Sequence, residues 1–124
     1  MAKILVVEDD ENLRFIYSKN LIKKNYIVES VDNGMDALEK VGEFGPDIIL
    51  LDIMLPDLNG LELLQLLKDQ PKYRNIPVLM ITGISDPNEI KKCLDIGAMG
   101  FILKGSSSEE MEDKIEIILR TLNI

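Results

Sequence analysis

The chain contains no histidine, no tryptophan and a single cysteine, Cys93, in 124 residues. The missing histidine excludes Ser-His-Asp and Cys-His catalytic arrangements and any zinc site that relies on imidazole. One cysteine cannot close an internal disulfide, which fits a reducing compartment, and within a helix-forming stretch it reads as a small buried side chain. Aromatic residues are only 5% of the sequence, so the core must be built from Ile, Leu, Val and Met. Positive charge is also short, with 14 Lys and Arg against 22 Asp and Glu. A net charge of −8 argues against nucleic acid or an anionic membrane as a direct partner, because both are bound through basic side chains. No apolar run reaches the length of a membrane span. The run at residues 4–7 is too short for a signal peptide and is followed at once by acids, so a cytoplasmic location is expected.

What remains is an ordinary globular balance, 46% apolar and 29% charged, at the length of one domain; residues 1–124 are expected to form a single unit. Short apolar runs occur at residues 4–7, 48–51, 78–81 and 101–103, with a weaker one at 26–31. Such runs read as strands buried on both faces of a parallel sheet. Between them lie amphipathic stretches with stripes at Leu13, Ile16, Tyr17 and Leu21, at Leu63, Leu66 and Leu67, and at Ile115, Ile118, Leu119 and Leu122. Capping pairs mark helix starts at Asn59 with Glu62, Asp86 with Glu89, and Ser106 with Glu109. Gly42 and Gly45 before Pro46, and Gly97 after Leu94, mark stops. The strict alternation predicts an α/β fold, a five-stranded parallel sheet with helices on both faces in flavodoxin-like (βα)5 order. In such sheets ligands sit outside the carboxyl ends of the strands.

Those ends carry Glu8-Asp9-Asp10 after the first strand, Asp52 after the third, Thr82 after the fourth and Lys104 after the fifth. Each taken alone is unremarkable, a helix cap or a solvated side chain. Together they place carboxylates, a hydroxyl and an ammonium on one edge. Clustered carboxylates repel one another unless a cation intervenes, and an all-oxygen donor set suits Mg2+ rather than zinc. An Asp carboxylate can also attack phosphorus to give an acyl phosphate, which then needs a metal, a lysine and hydroxyl or N–H donors around it.

The segments 4–11, 46–56, 59–60, 76–82 and 97–104 resemble the receiver domain of two-component response regulators, and the resemblance spans nearly the whole chain. It implies that Asp52 accepts a phosphoryl group from the phosphohistidine of a sensor histidine kinase or phosphotransfer protein. It implies a Mg2+ site, with Mn2+ or Ca2+ as substitutes, formed by Glu8, Asp9, Asp52 and the backbone carbonyl of Met54, while Asp10 caps the first helix. Thr82 and Lys104 would bind the phosphoryl oxygens, and Phe101 would turn inward as the hydroxyl moves. Gly60 would keep the loop tight beside the acceptor. The signalling face implied is that of the fourth helix, fifth strand and fifth helix, toward a protein target or an output domain. The domain would support its own phosphorylation and slow dephosphorylation and would not otherwise be an enzyme.

Two features depart from that pattern. Lys104 is followed by Gly105 where the family has proline, which leaves the reach of the lysine open. Gly83 and Ile84 follow Thr82; the glycine leaves room at the site, and Ile84 with Met54 would impede an attacking water. A glycine-rich nucleotide loop is absent, and an aspartyl-phosphate phosphatase usually has a second aspartate two residues past its nucleophile, where Met54 stands. The rival reading is a receiver-like adaptor that binds partners without being phosphorylated.

Overall fold

The computed structural model describes residues 1–83 and 86–124. Strands and helices alternate through them: β1 (Lys3–Val7), α1 (Glu11–Lys23), β2 (Ile27–Val31), α2 (Gly34–Phe44), β3 (Ile48–Asp52), α3 (Gly60–Asp69), β4 (Val78–Thr82), α4 (Pro87–Ile96), β5 (Gly100–Leu103) and α5 (Ser108–Thr121). All strand pairs are parallel, in the order β2-β1-β3-β4-β5. The α/β fold expected from the alternating pattern is therefore the one formed. β1, β3 and β4 lie inside the sheet and their Ile, Leu, Val and Met side chains are wholly buried. Alternation of side chains along each strand divides the core in two. Leu5, Val7, Ile49, Leu51 and Met80 pack under α2, α3 and α4, while Ile4, Val6, Leu50, Ile81 and Ile102 pack under α1 and α5.

Several local expectations shift. β2 is an edge strand with one neighbour, and Ile27 is 43% exposed rather than covered on both sides. The helix stripes are narrower than the spacing suggests: Ile16, Leu66 and Leu122 are exposed, and Leu64 and Met111 are buried in addition. Gly42 lies inside α2, and the helix ends at Gly45, whose φ of 64° is the left-handed conformation that favours glycine. The cap of α5 is Ser107, which accepts from the Glu110 N–H; Ser106 is instead used in a turn, donating to the Leu103 carbonyl. Asp86 caps α4 through the Asn88 N–H, one residue earlier than the capping-box spacing with Glu89 implies. Asn59 caps α3 through the Glu62 N–H as expected.

Candidate functional site

Chain order reverses along the sheet between β1 and β3, which opens a crevice beyond their carboxyl ends. Glu8, the first residue past β1, and Asp52, the last of β3, both face it and are fully buried. The Asp10 side chain accepts from the Leu13 N–H and starts α1, as the sequence suggests, so Asp9 is left exposed at the mouth. One carboxylate oxygen from each of Glu8, Asp9 and Asp52 falls within 4.8 Å of the other two.

Lys104, just past β5, reaches across to this cluster. Its Nζ donates to Asp52 Oδ2 at 2.9 Å and lies 3.4 Å from each oxygen of Glu8. The Met54 N–H donates to the other Asp52 oxygen, Oδ1, at 3.0 Å, so the acid is held from two sides. The Lys104–Gly105 bond is trans, and Gly105 has φ 88°, a conformation open to glycine without strain. The chain turns there without the family's proline, and the lysine still reaches Asp52. Thr82, at the end of β4, is buried; Phe101 is half-buried on β5. Thr82 pairs in register with Leu103 and Met80 with Phe101, so Thr82 and Phe101 are directed to the same face of the sheet, toward α4. Met54 and Gly83 are exposed beside the crevice, and Ile84 lies outside the described residues.

The electrostatics are those of three clustered acids that share a single ammonium, that of Lys104. Burial pushes the Glu8 carboxyl up to about 8, and its approach to Asp52 adds to this, against a lowering contribution from the Asp10 N–H. Burial pulls Lys104 down, but the hydrogen bond to Asp52 and the field of both carboxylates outweigh it, and its net shift is upward. Among the described residues Glu8 Oε1 is buried with no hydrogen-bond donor. A buried carboxylate oxygen that has Lys104 at 3.4 Å but no hydrogen bond, beside two further carboxylates, fits a hard divalent cation such as Mg2+.

Gly60 is required by this packing. A Cβ there would stand 2.3 Å from the Asp52 carbonyl oxygen and 2.7 Å from Ile53 Cα. Two residues escape sequence reading. Arg14, one turn into α1, donates to the carbonyls of Glu8 (3.0 Å) and Asp9 (3.5 Å) and braces the acidic loop. Asp57 ties the loop after β3 to the start of α2. On the far side of β5 an apolar groove of about 350 Å³ is lined by Leu94, Met99, Phe101, Lys114 and Ile117. Lys114 donates to the Phe101 carbonyl at 2.7 Å and lies 5.3 Å from the centre of its ring.

Residues 4–116 match the response regulator receiver domain. This chain belongs to that family. It is 38% identical over 120 residues to the response regulator ArlR of Staphylococcus aureus, an alignment covering 97% of this chain and 53% of the relative. The receiver domain thus spans about half the length of the curated relatives it matches. Among solved structures it is similar to the chemotaxis response regulator CheY4 of Vibrio cholerae, with a TM-score of 0.90, 29% identity, and 96% and 99% of the two chains covered. It is also similar to the signal receiver domain of a signal transduction histidine kinase from Syntrophus aciditrophicus, with a TM-score of 0.89, 31% identity, and 98% and 92% covered. No helix among the described residues is long and apolar enough to cross a membrane.

Proposed function

We propose that this receiver domain takes a phosphoryl group onto Asp52 from a phosphohistidine and relays the change to a protein target or an attached output domain. The observation that carries the reading is the shared contact of Lys104 with Asp52 and Glu8, two buried acids from adjacent strands at the switch point of the sheet. The phosphohistidine lies outside these 124 residues, which contain no histidine. Within the family, a sensor histidine kinase or phosphotransfer protein is the fitting source. One Asp52 oxygen attacks phosphorus, a P–O bond forms as the P–N bond breaks, and the imidazole leaves with a proton from solvent. Lys104 then exchanges its contact with the carboxylate for one with the phosphoryl oxygens, as does the Met54 N–H.

Glu8, Asp9, Asp52 and the Met54 backbone carbonyl are the residues that would hold Mg2+. Bound there, the ion supplies positive charge against the phosphoryl oxygens. The Thr82 hydroxyl serves as the donor that moves toward the phosphoryl group, and Phe101, on the same face, follows it inward. That movement reshapes the apolar groove between α4, β5 and α5, which is the face offered to the target. The exposed Met54 side chain shields the acyl phosphate from water and slows its hydrolysis.

Intact-mass spectrometry after incubation with acetyl phosphate tests this directly. A gain of about 80 Da, one phosphoryl group, that requires Mg2+ and disappears in Asp52→Asn is the expected result. No adduct on folded protein, with no beryllofluoride bound either, would overturn it in favour of an adaptor that works without phosphorylation.

A further inference from the structure

We infer that Asp57 is a positioning residue for this site: by clasping the start of α2 it fixes the β3–α3 loop that presents the Met54 carbonyl. The inference rests on the phosphoacceptor reading above and adds a part to it.

Asp57 accepts three backbone N–H bonds. Oδ1 takes those of Gly34 (2.8 Å) and Leu58 (2.7 Å), and Oδ2 takes that of Met35 (3.0 Å). Gly34 and Met35 are the first two residues of α2, whose N–H groups have no partner within the helix. Asn33, the cap of α2, satisfies only the Asp36 N–H, so the remaining donors are met from a different loop. These bonds to N–H groups hold the Asp57 carboxyl below its ordinary range. The contact is also close in steric terms. A Cβ at Gly34 would lie 2.8 Å from Leu58 Cβ and 2.9 Å from the Leu58 carbonyl, so glycine lets the loop lie against the helix.

The other end of the same loop is pinned at Gly60, whose N–H donates to the Ile53 carbonyl at 2.7 Å and whose missing side chain lets Asp52 and Ile53 approach. Met54 lies between Ile53, held by the Gly60 N–H, and Asp57, tied to α2. Its N–H already bonds Asp52 Oδ1, so the carbonyl of Met54 and the acid are oriented by one short segment. A loop held at one end only would sample many carbonyl directions, and a cation that demands fixed geometry loses affinity when a donor wanders.

Calorimetric titration with MgCl2, with urea unfolding in parallel, separates this role from helix capping alone. Asn33→Ala removes a cap of α2 but leaves the loop tied. Asp57→Ala removes a cap and the tie together. Asp57→Asn keeps the Oδ1 position, which carries two of the three bonds. The expected Kd for Mg2+ rises roughly tenfold in Asp57→Ala, the lower end of what outer-sphere partners contribute, by no more than about twofold in Asn33→Ala, and by an intermediate factor in Asp57→Asn. An unchanged Kd in Asp57→Ala, or an equal rise in Asn33→Ala, overturns the inference. If Asp57→Ala does not fold, a Kd in Asp57→Asn no weaker than in Asn33→Ala overturns it. A wild-type protein that takes up no Mg2+ overturns the phosphoacceptor reading itself, and the clasp's role with it.

Discussion

The Lys104 ammonium stands 2.9 Å from Asp52 Oδ2 and 3.4 Å from Glu8 Oε2, so one cation serves two buried acids on neighbouring strands. Lys104→Ala leaves those acids facing each other without it. The metal-free protein is expected to lose about 1–3 kcal/mol at pH 8, less than a fully buried pair would cost, because the ammonium is a quarter exposed. Urea unfolding in chelator measures this. A loss below about 0.5 kcal/mol would mean that the contact contributes nothing beyond an ordinary surface change.

Glu8 gives the metal-free protein a pH dependence of known sign. Its carboxyl is raised from 4.5 to about 8 in the fold, chiefly by burial, so the folded state holds a proton that the unfolded chain has already released. The stabilisation is complete below the unfolded value and is lost as pH rises through about 8. Melting temperature between pH 6 and 9 should therefore fall in chelator, and Glu8→Gln should flatten the curve. Mg2+ uptake at pH 7 should release protons, seen as a binding heat that depends on the ionisation enthalpy of the buffer. A wild-type curve that rises with pH would contradict the assignment.

Gly60→Ala should be severe, because the new Cβ meets backbone rather than a side chain that could turn away. We expect a loss of about 2–3 kcal/mol, with weaker Mg2+ binding as the loop is pushed off the Asp52 carbonyl. Thermal melting and calorimetry on the same preparation check both effects.

Gly105→Ala isolates a backbone cost. A Cβ there meets nothing within 4 Å, but φ is 88°. The expected loss is about 1 kcal/mol from conformation alone. A change near zero in the denaturation midpoint would show that residue 105 readily adopts another φ.

The parts of this structure visible in the sequence are those set by local pattern. The buried runs of β1, β3 and β4 and the chemistry at the strand ends come from short stretches whose residue types are physically constrained. Asn59 and Asp10 cap helices because a side-chain oxygen three residues ahead of an N–H has one good partner. The Asp57 clasp was not legible, because it joins residues 22 and 23 positions apart through two irregular loops and leaves no periodicity. The displaced cap at Ser107 followed from the turn at Gly105, which uses one more residue than the spacing of Ser106 and Glu109 suggests. Ile16, Leu66 and Leu122 sat at helical spacing but at the margins of their stripes, where a small rotation of the helix decides between core and solvent.

β1 lies between β2 and β3, and both its edges are hydrogen-bonded. The amide protons of β3, and those that β1 donates to β3, can therefore reach solvent only when the centre of the sheet comes apart, and they should exchange with deuterium last. Asp52 ends β3, the strand expected to exchange most slowly, and Glu8 follows β1 beside it. Asp52 thus stands on the part of the sheet that opens last, whereas Glu8, whose N–H donates to the Val31 carbonyl at 3.1 Å, also feels the breathing of the edge strand β2.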